Sequence, residues 1–242
     1  MRNIWTIAKK EFSQYLISPV AYAVAFAILL ILGVLFYINT LSATVQQYAP
    51  TVQIVLGPLV TLFLFTTPGI TMRSLAEEQK NGTLEILLTA PVRDWEVIVG
   101  KWLGGVMFLA ILLLITWIYP IILNQMVKPG IDQGLMASGY LGLLLLASSF
   151  LAIGIMISSF FSNQIAAFFT TLGVLLVWWM IGYPAQIMGT TGGVLDYLDL
   201  SLHYYNTFYR GIVDLKDIIF YLSVIIGSLF IGSVSIETRR WR

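Results

Sequence analysis

Residues able to do chemistry are scarce in this chain of 242 residues, which has one histidine and no cysteine. With His203 alone, a zinc site of the His-Glu-x-x-His type is excluded, and no other cluster of metal ligands stands out in the sequence. No G-x-S-x-G element and no G-x-x-x-x-G-K-[ST] loop occurs, so a serine-hydrolase elbow and a phosphate-binding P-loop are both missing. An intramembrane enzyme would have to rely on His203, and we expect an interfacial, hydrogen-bonding histidine instead.

The remaining chemistry is that of binding, in a charged stretch, Arg73–Lys101, that lies between two strongly apolar runs. Ser74-x-x-Glu77 has the spacing of a capping box, which predicts a helix that begins just after the preceding apolar run. The glycine of the following Asn81-Gly82 pair is expected at positive φ, where it breaks or bends this helix.

A second short helix is predicted beyond this bend, N-capped by Thr83 and ended by Pro91. An apolar stripe with an acid beside it runs along the helix, formed by Leu84, Glu85, Leu87 and Leu88. Such a helix lies either on the membrane or in a groove of another protein. Acidic residues favour the protein groove, because the inner leaflet is itself negatively charged.

The composition requires lipid as the solvent for most of the chain. Hydrophobic residues make up 58% of the sequence and charged residues only 10%, against about 25% charged residues in soluble domains. A span needs about 20 apolar residues. Six segments meet this requirement: Pro19–Ile38, Ile54–Met72, Val97–Leu123, Ala137–Ser158, Ile165–Tyr183 and Ile218–Ile236.

Local signals refine these spans. Ser18 is a plausible N-cap for the first span, with a proline following it. Pro58 and Pro68 each remove a backbone hydrogen bond, which predicts a kinked or broken second span. Asp94 is expected to cap the third span, and Lys101 is expected to extend toward the lipid headgroups. No other charged residue lies within the six segments.

The distribution of basic residues predicts the orientation, since cytoplasmic loops are rich in lysine and arginine. Ten basic residues fall on the side of both termini: Arg2, Lys9, Lys10, Arg73, Lys80, Arg93, Lys101, Arg239, Arg240 and Arg242. The other side receives only Lys128, Arg210 and Lys216. We therefore expect both termini and the charged stretch in the cytoplasm, and no signal peptide.

Two amphipathic regions flank the spans. Residues 1–17 are expected to form a helix on the inner membrane surface, either as a simple anchor or packed against a partner subunit. Residues 184–217 carry leucines at helical spacing followed by several aromatic residues, which predicts one or two short helices at the outer interface. Small-residue pairs such as Gly100 with Gly104 suit close helix packing, which we expect to be within the chain.

The stretch EEQKNGTLEILLTAPVRDWEVIVGK resembles the signature of ABC transporter permeases of the type-2, exporter-like class. The matching features are an acidic pair, a Gly-Thr-Leu-Glu step, paired leucines, a proline and a Gly-Lys at the third span: Glu77-Glu78, Gly82-Thr83-Leu84-Glu85, Leu87-Leu88, Pro91 and Gly100-Lys101. His203–Gly211 and Glu237–Trp241 also resemble the gliding-motility-type subgroup.

The resemblance implies a fold for the whole chain. It implies an all-α membrane protein in which residues 1–242 form a single permease domain with six transmembrane helices. An N-terminal interfacial helix occupies residues 1–17, a cytoplasmic coupling segment occupies residues 73–95, and short outer helices occupy residues 184–217. In such permeases the first and fifth spans meet their counterparts in a second permease.

The resemblance also implies a mechanism. The coupling helix sits in a cleft of a separate ABC ATPase, which binds ATP and magnesium, while the permease binds no cofactor and has no catalytic residue. Two permeases and two ATPases form the working unit in the inner membrane. An envelope or periplasmic protein is a possible further partner, and nucleic acid is not a partner. The contact with the ATPase is assigned to Glu77, Glu78, Gly82, Thr83, Leu84, Glu85, Leu87, Leu88 and Pro91.

Two functions follow from these features besides an enzyme built on His203. One is a transporter subunit that couples ATP hydrolysis in a partner to export or to mechanical work. The other is a membrane scaffold that docks a cytoplasmic protein and moves nothing. The sequence indicates neither the substrate nor whether the second permease is an identical chain.

Overall fold

The computed structural model describes residues 2–82, 92–182, 193 and 197–240 of the chain. Within these residues the protein is 84% helical and contains no strand, which confirms the predicted all-α class. The α-helices of this part of the chain are α1 (Arg2–Ile17), α2 (Pro19–Val45), α3 (Gln53–Thr71), α4 (Ala76–Lys80), α5 (Asp94–Thr116), α6 (Ile118–Met126), α7 (Gln133–Phe160), α8 (Gln164–Met180), α9 (Leu200–Asn206) and α10 (Leu215–Arg240). A 3-10 turn, Phe208–Arg210, follows α9.

Five helical stretches of the described residues are long and apolar enough to cross a membrane. They are Pro19–Val45, Gln53–Lys80, Asp94–Met126, Gln133–Phe160 and Leu215–Thr238. The predicted segment Ile165–Tyr183 coincides with α8, which has 17 residues and is shorter than the other five. Tyr183 itself lies outside the described residues. The sequence prediction of six spans is therefore confirmed for five of them.

The third predicted span, Val97–Leu123, is not one uninterrupted helix. It divides at Trp117 into α5 and α6. Pro120 has no N–H to donate to the carbonyl of Thr116, one turn earlier. The hydroxyl of Tyr140 donates to that carbonyl oxygen at 3.3 Å, so a side chain from α7 replaces the missing backbone donor.

The predicted effects of the prolines in α2 and α3 are only partly right. Ser18 is the N-cap residue of α2, as predicted, but its side chain makes no capping hydrogen bond. The helix α3 continues through Pro58 and Pro68, so the second span is not broken.

The centre of the bundle is α7, which packs against α3, α5, α8 and α10. Hydrogen bonds between helices reinforce the packing of the bundle. Such bonds form within the bundle because a polar group that faced hydrocarbon would have no hydrogen-bond partner. Trp102 Nε1 donates to the carbonyl of Ser148 at 2.9 Å, joining α5 to α7. Tyr119 OH donates to the carbonyl of Leu29 at 2.8 Å, joining α6 to α2.

At the end of the bundle where α7 begins, residues 197–217 form the predicted short helices. The helix α9 is capped by Asp199, whose Oδ1 accepts from the N–H of Ser201 at 2.7 Å. His203 is 8% exposed. Its Nδ1 lies 2.6 Å from Asp217 Oδ1 and its Nε2 lies 2.8 Å from the carbonyl oxygen of Tyr197. Both ring nitrogens thus contact protein acceptors, and the histidine joins α9 to α10, as expected for a hydrogen-bonding residue.

Candidate coupling site

Lys101 is buried in the first turns of α5, with 2% of its side chain exposed. Its Nζ lies 2.6 Å from Glu11 Oε1 on α1 and 2.7 Å from Glu78 Oε1 on α4. These three residues are called the Lys101 cluster below. The prediction that Lys101 extends to the lipid headgroups is wrong, because two carboxylates from distant parts of the sequence meet the ammonium inside the protein.

The Lys101 cluster fixes three elements to one another. Moving a charge out of water costs several kcal/mol, so a buried ammonium persists only where carboxylates and hydrogen bonds compensate it. Here Glu11 supplies one carboxylate from α1 and Glu78 supplies the second from α4. The helix α5 is therefore attached electrostatically both to the amphipathic N-terminal helix and to the short helix α4, which lies within the predicted coupling segment.

Two glycines bring α1 close enough for this contact. A Cβ on Gly104 would lie 2.6 Å from Glu11 Cβ and 3.0 Å from the carbonyl oxygen of Ala8. A Cβ on Gly100 would lie 2.7 Å from Ile7 Cβ. The two Cβ–Cβ distances, 2.6 Å and 2.7 Å, are shorter than non-bonded atoms tolerate, so only glycine allows α1 to rest directly on α5. The pair Gly100 and Gly104 serves packing within the chain, as predicted.

A second polar contact joins α1 to the start of α5. Asn3 Nδ2 donates to Glu96 Oε2 at 3.2 Å, and the backbone N–H of Arg93 donates to the same oxygen at 3.0 Å. Arg93 is the N-cap residue of α5. The prediction that Asp94 caps this helix is therefore wrong. Instead Glu96, in the third helical position, reaches back to the N-cap N–H as in half of a capping box.

The start of α4 is stabilised by a residue that is remote in sequence. The predicted capping box of Ser74 and Glu77 does not form, since α4 begins at Ala76 and no side chain of its own N-cap accepts a hydrogen bond. Ser158 Oγ, in the last turn of α7, accepts from the N–H groups of Leu75 at 3.2 Å and Ala76 at 3.1 Å. A serine from another helix thus satisfies the N–H groups that a local cap would have satisfied.

Replacing Ser158 by alanine is expected to lower the free energy of unfolding by about 1–3 kcal/mol, because two buried N–H groups lose their acceptor. The matched control is Ser223→Ala, since the hydroxyl of Ser223 donates within its own helix, to the carbonyl of Phe220. Thermal unfolding of both variants in the same detergent provides the measurement. Equal melting temperatures for the two variants would show that Ser158 is not needed for the start of α4.

The end of α4 behaves as the sequence predicts. Gly82 has φ +69°, which confirms the expected positive φ just beyond the end of α4. Gln79 Nε2 donates to the carbonyl of Ser159 at 2.9 Å, so α4 is also attached to the end of α7 beyond its first turn. The turn at Gly82 is therefore held in place by contacts made just before it.

Three of the nine residues predicted to contact an ATPase are placed by the structure. Glu78 belongs to the Lys101 cluster, Glu77 is half-buried on α4, and Gly82 forms the turn. The other six lie outside the described residues: Thr83, Leu84, Glu85, Leu87, Leu88 and Pro91. Their roles remain predictions.

Sequence reasoning missed Glu11 and Ser158 as parts of this site. A signal for Glu11 was available, because Lys101 is the one charged residue within the predicted spans and a charge at membrane depth requires a partner. Glu11 is the only acidic residue of α1, which made it the natural candidate. The sequence contains no comparable signal for Ser158. Serines near helix ends are common, and a serine hydroxyl can pair with many groups besides the N–H groups of α4.

The fold and site together define a multi-pass helical membrane protein. Its N-terminal helix α1 and the short helix α4, which follows the second span, are both fixed to the transmembrane helix α5 by buried charges. A family model described as ABC-2 family transporter protein matches residues 5–222. The chain belongs to this family and is therefore a transmembrane subunit of an ABC transporter. Permeases of this family normally work with an ABC ATPase. No curated protein matches the sequence.

Proposed function

We propose that this permease couples ATP hydrolysis in a separate ABC ATPase to export, or to mechanical work across the membrane. The observation that supports this proposal is the Lys101 cluster, in which Glu11 and Glu78 meet Lys101. A docking segment transmits motion only if its ends are fixed to the elements that must move. In this chain both flanks of the predicted coupling helix are fixed.

The first flank of the predicted coupling helix is α4. Two backbone N–H groups at its start donate to Ser158 Oγ on α7, and its carboxylate Glu78 contacts Lys101 on α5. The second flank is α5 itself, which begins at Asp94 and carries Lys101 two turns later. A displacement of residues 83–91 would therefore act on α5 and α7 together, and α7 is the centre of the bundle.

The N-terminal helix is part of the same assembly. Glu11 and Asn3 attach α1 to α5 at two points, and Gly100 and Gly104 remove the side chains that would separate the two helices. In the proposed mechanism an ATPase subunit contacts both α1 and the coupling segment. Closure of two ATPases around ATP and magnesium would then move α1, α4 and α5 as one body.

The proposed topology has six spans, with α8 as the fifth, and both termini in the cytoplasm. Support comes from the excess of basic residues on one side and from the apolar sequence of α8. We place the protein in the inner membrane and in the gliding-motility-type subgroup. The working unit is proposed to contain two permeases that meet through α2 and α8, with or without an envelope partner.

Reversing the charge of Glu85 is expected to reduce the amount of co-purifying ATPase about tenfold, which corresponds to about 1.4 kcal/mol of binding free energy. The reason is that Glu85 lies beside the leucine stripe that the resemblance assigns to the ATPase cleft. Tagged wild-type and Glu85→Lys permeases are purified in mild detergent, and the ATPase is quantified by mass spectrometry. Glu237→Lys is the matched control, because Glu237 is exposed near the end of α10.

Equal recovery of the ATPase with both lysine variants would contradict the assignment of Glu85.

The complex of permease and ATPase, reconstituted in liposomes, distinguishes a transporter from a scaffold. Stimulation of ATP hydrolysis by the wild-type permease, and loss of that stimulation in Gly82→Val, supports coupling through the turn at Gly82. An ATPase that docks but hydrolyses at its own basal rate would support the scaffold.

A further inference from the structure

A cavity of about 290 Å³ lies beside the Lys101 cluster, between α1, the start of α2 and the junction of α3 with α4. Its volume is close to the lower limit of known small-ligand pockets, about 300 Å³. Gln14 and Arg73 line it and are both exposed, so the cavity is accessible from outside the protein. The size and accessibility suit a headgroup-sized ligand that enters from the membrane surface.

The lining of the cavity changes from polar to apolar. One part carries charged groups, including Arg73, Glu77 and the three residues of the Lys101 cluster. The other part carries aliphatic side chains of α2 and α3: Val20, Ala21, Val24 and Ile70. A ligand that fits both parts has a charged end and an apolar end, which is the chemistry of a phospholipid.

Ser74 points to a missing ligand independently of the charges. It lines the cavity, its residue is 6% exposed, and its Oγ has no hydrogen-bond partner among the residues that the structure describes. A buried hydroxyl without a partner costs about 1–3 kcal/mol. Rotation of this side chain toward the cavity would give its hydroxyl a partner in a bound phosphate or ammonium group.

The charges indicate which headgroup the cavity accepts. Three carboxylates, from Glu11, Glu77 and Glu78, face two cations, from Arg73 and Lys101, so the lining carries one excess negative charge. Lys101 is already engaged by two of these carboxylates. An anionic headgroup would therefore meet net repulsion. A zwitterion places its phosphate near Arg73 and its ammonium near the carboxylates.

We propose that this cavity is a binding site for one phospholipid with a zwitterionic, primary-amine headgroup, such as phosphatidylethanolamine. The ammonium donates N–H groups to the carboxylates, which the N–H-free choline headgroup is unable to do. The acyl chains extend along the aliphatic wall toward the bilayer. Bound in this way, the lipid fills the space between the N-terminal helix and the coupling segment.

The position of α1 is consistent with a site at headgroup depth. Several large apolar side chains of α1 are exposed to the surroundings of the protein, namely Trp5 at 59%, Leu16 at 40% and Ile17 at 76%. Exposed apolar side chains beside polar ones are typical of a helix that lies in the membrane interface. The cavity, on the side of α1 that faces α2 and α3, is then level with the lipid headgroups.

The first test measures lipid selectivity by native mass spectrometry of the full-length chain in detergent. Phosphatidylethanolamine, phosphatidylcholine and phosphatidylglycerol with identical acyl chains are offered at equal concentrations. We expect one phosphatidylethanolamine per chain, bound about tenfold more tightly than either competitor, or about 1.4 kcal/mol in binding free energy. Equal occupancy by the three lipids would overturn the proposal.

The second test fills the cavity. Gly69 lines it, and a Cβ built on Gly69 has no atom within 4 Å, so a leucine there extends into open space. Gly69→Leu is expected to reduce phosphatidylethanolamine binding at least tenfold, while the fold is retained. Gly227→Leu is the matched control, since a Cβ on Gly227 also meets no atom within 4 Å and Gly227 lies on α10, away from the cavity. Equal lipid binding by the two variants would locate the lipid elsewhere.

A third measurement tests the headgroup contacts. Glu77→Gln is expected to abolish the preference for phosphatidylethanolamine over phosphatidylcholine, whereas Glu237→Gln, an exposed acid of α10, is expected to leave that preference unchanged.

Free phosphoethanolamine is then added as a competitor. Displacement of the lipid only at far higher concentration supports a membrane lipid as the occupant. Displacement at equal concentration would show that the site serves a soluble zwitterion and would overturn the proposal.

Discussion

Replacing Lys101 by methionine is expected to lower the free energy of unfolding by about 3–5 kcal/mol, as when one partner of a buried ion pair is removed. Methionine has a similar length but no charge, so Glu11 and Glu78 would face each other without the ammonium that now lies 2.6 and 2.7 Å from them. In a chain of this size each kcal/mol moves the melting temperature by about 2–4 °C. We therefore expect thermal unfolding in detergent to occur about 6–20 °C lower.

Lys80→Met provides the control for this substitution. Lys80 is exposed at the end of α4, so its replacement is expected to change the melting temperature by a degree or two at most, as for other surface substitutions. A third variant separates the loss of charge balance from the loss of the lysine itself. This triple variant combines Lys101→Met with Glu11→Gln and Glu78→Gln. It no longer has the opposed carboxylates, so we expect it to recover much of the stability that Lys101→Met loses. A Lys101→Met protein as stable as Lys80→Met would show that the cluster contributes nothing to stability.

Replacing Gly104 by leucine is expected to separate α1 from α5. A Cβ at this position would lie 2.6 Å from Glu11 Cβ and 3.0 Å from the carbonyl oxygen of Ala8, so the helix α1 must move away. Overpacking of this kind costs about 1–3 kcal/mol, and the loss of the contact between Glu11 and Lys101 adds to it. We expect the variant to lose stimulation of its ATPase while the spans remain inserted.

The separation of α1 is measured by cysteine labelling, which is unambiguous because the chain has no cysteine of its own. Ala8 is fully buried against α5, so a cysteine placed there should react slowly with a water-soluble maleimide. In the Gly104→Leu background the reaction is expected to be at least tenfold faster, whereas Gly227→Leu should leave it slow. Equal labelling rates in both backgrounds would show that α1 stays on α5 and that Gly104 tolerates a side chain.

Much of the membrane architecture was predictable, because the hydrocarbon core imposes a length and a polarity on every span. The predicted spans at Pro19, Ile54, Ala137 and Ile218 correspond to α2, α3, α7 and α10 within a few residues at their starts. The family was also predictable, because its signature is a local pattern of glycine, leucine and acidic residues. The positive φ of Gly82 is a local property too, and the structure confirms it.

The partners of the polar groups were not predictable in the same way. Local rules assigned a cap to Ser74, a cap to Asp94 and a headgroup position to Lys101, and the structure contradicts all three. For Ser74 and Lys101 the partner that decides the outcome lies on another helix, whereas the N-cap N–H of α5 is bonded by Glu96 of the same helix. Ser158 satisfies the N–H groups at the start of α4, and Glu11 contributes a carboxylate to Lys101.

The sequence by itself determined that this chain is an apolar helical permease with a charged segment between its second and third spans. Only the tertiary structure decided that this segment is fixed to α1, α5 and α7 by buried polar contacts. The physical reason is the range of the interactions. Hydropathy, helix length and turn conformation are set by neighbouring residues, whereas the choice of a hydrogen-bond or ion-pair partner depends on which helices pack together.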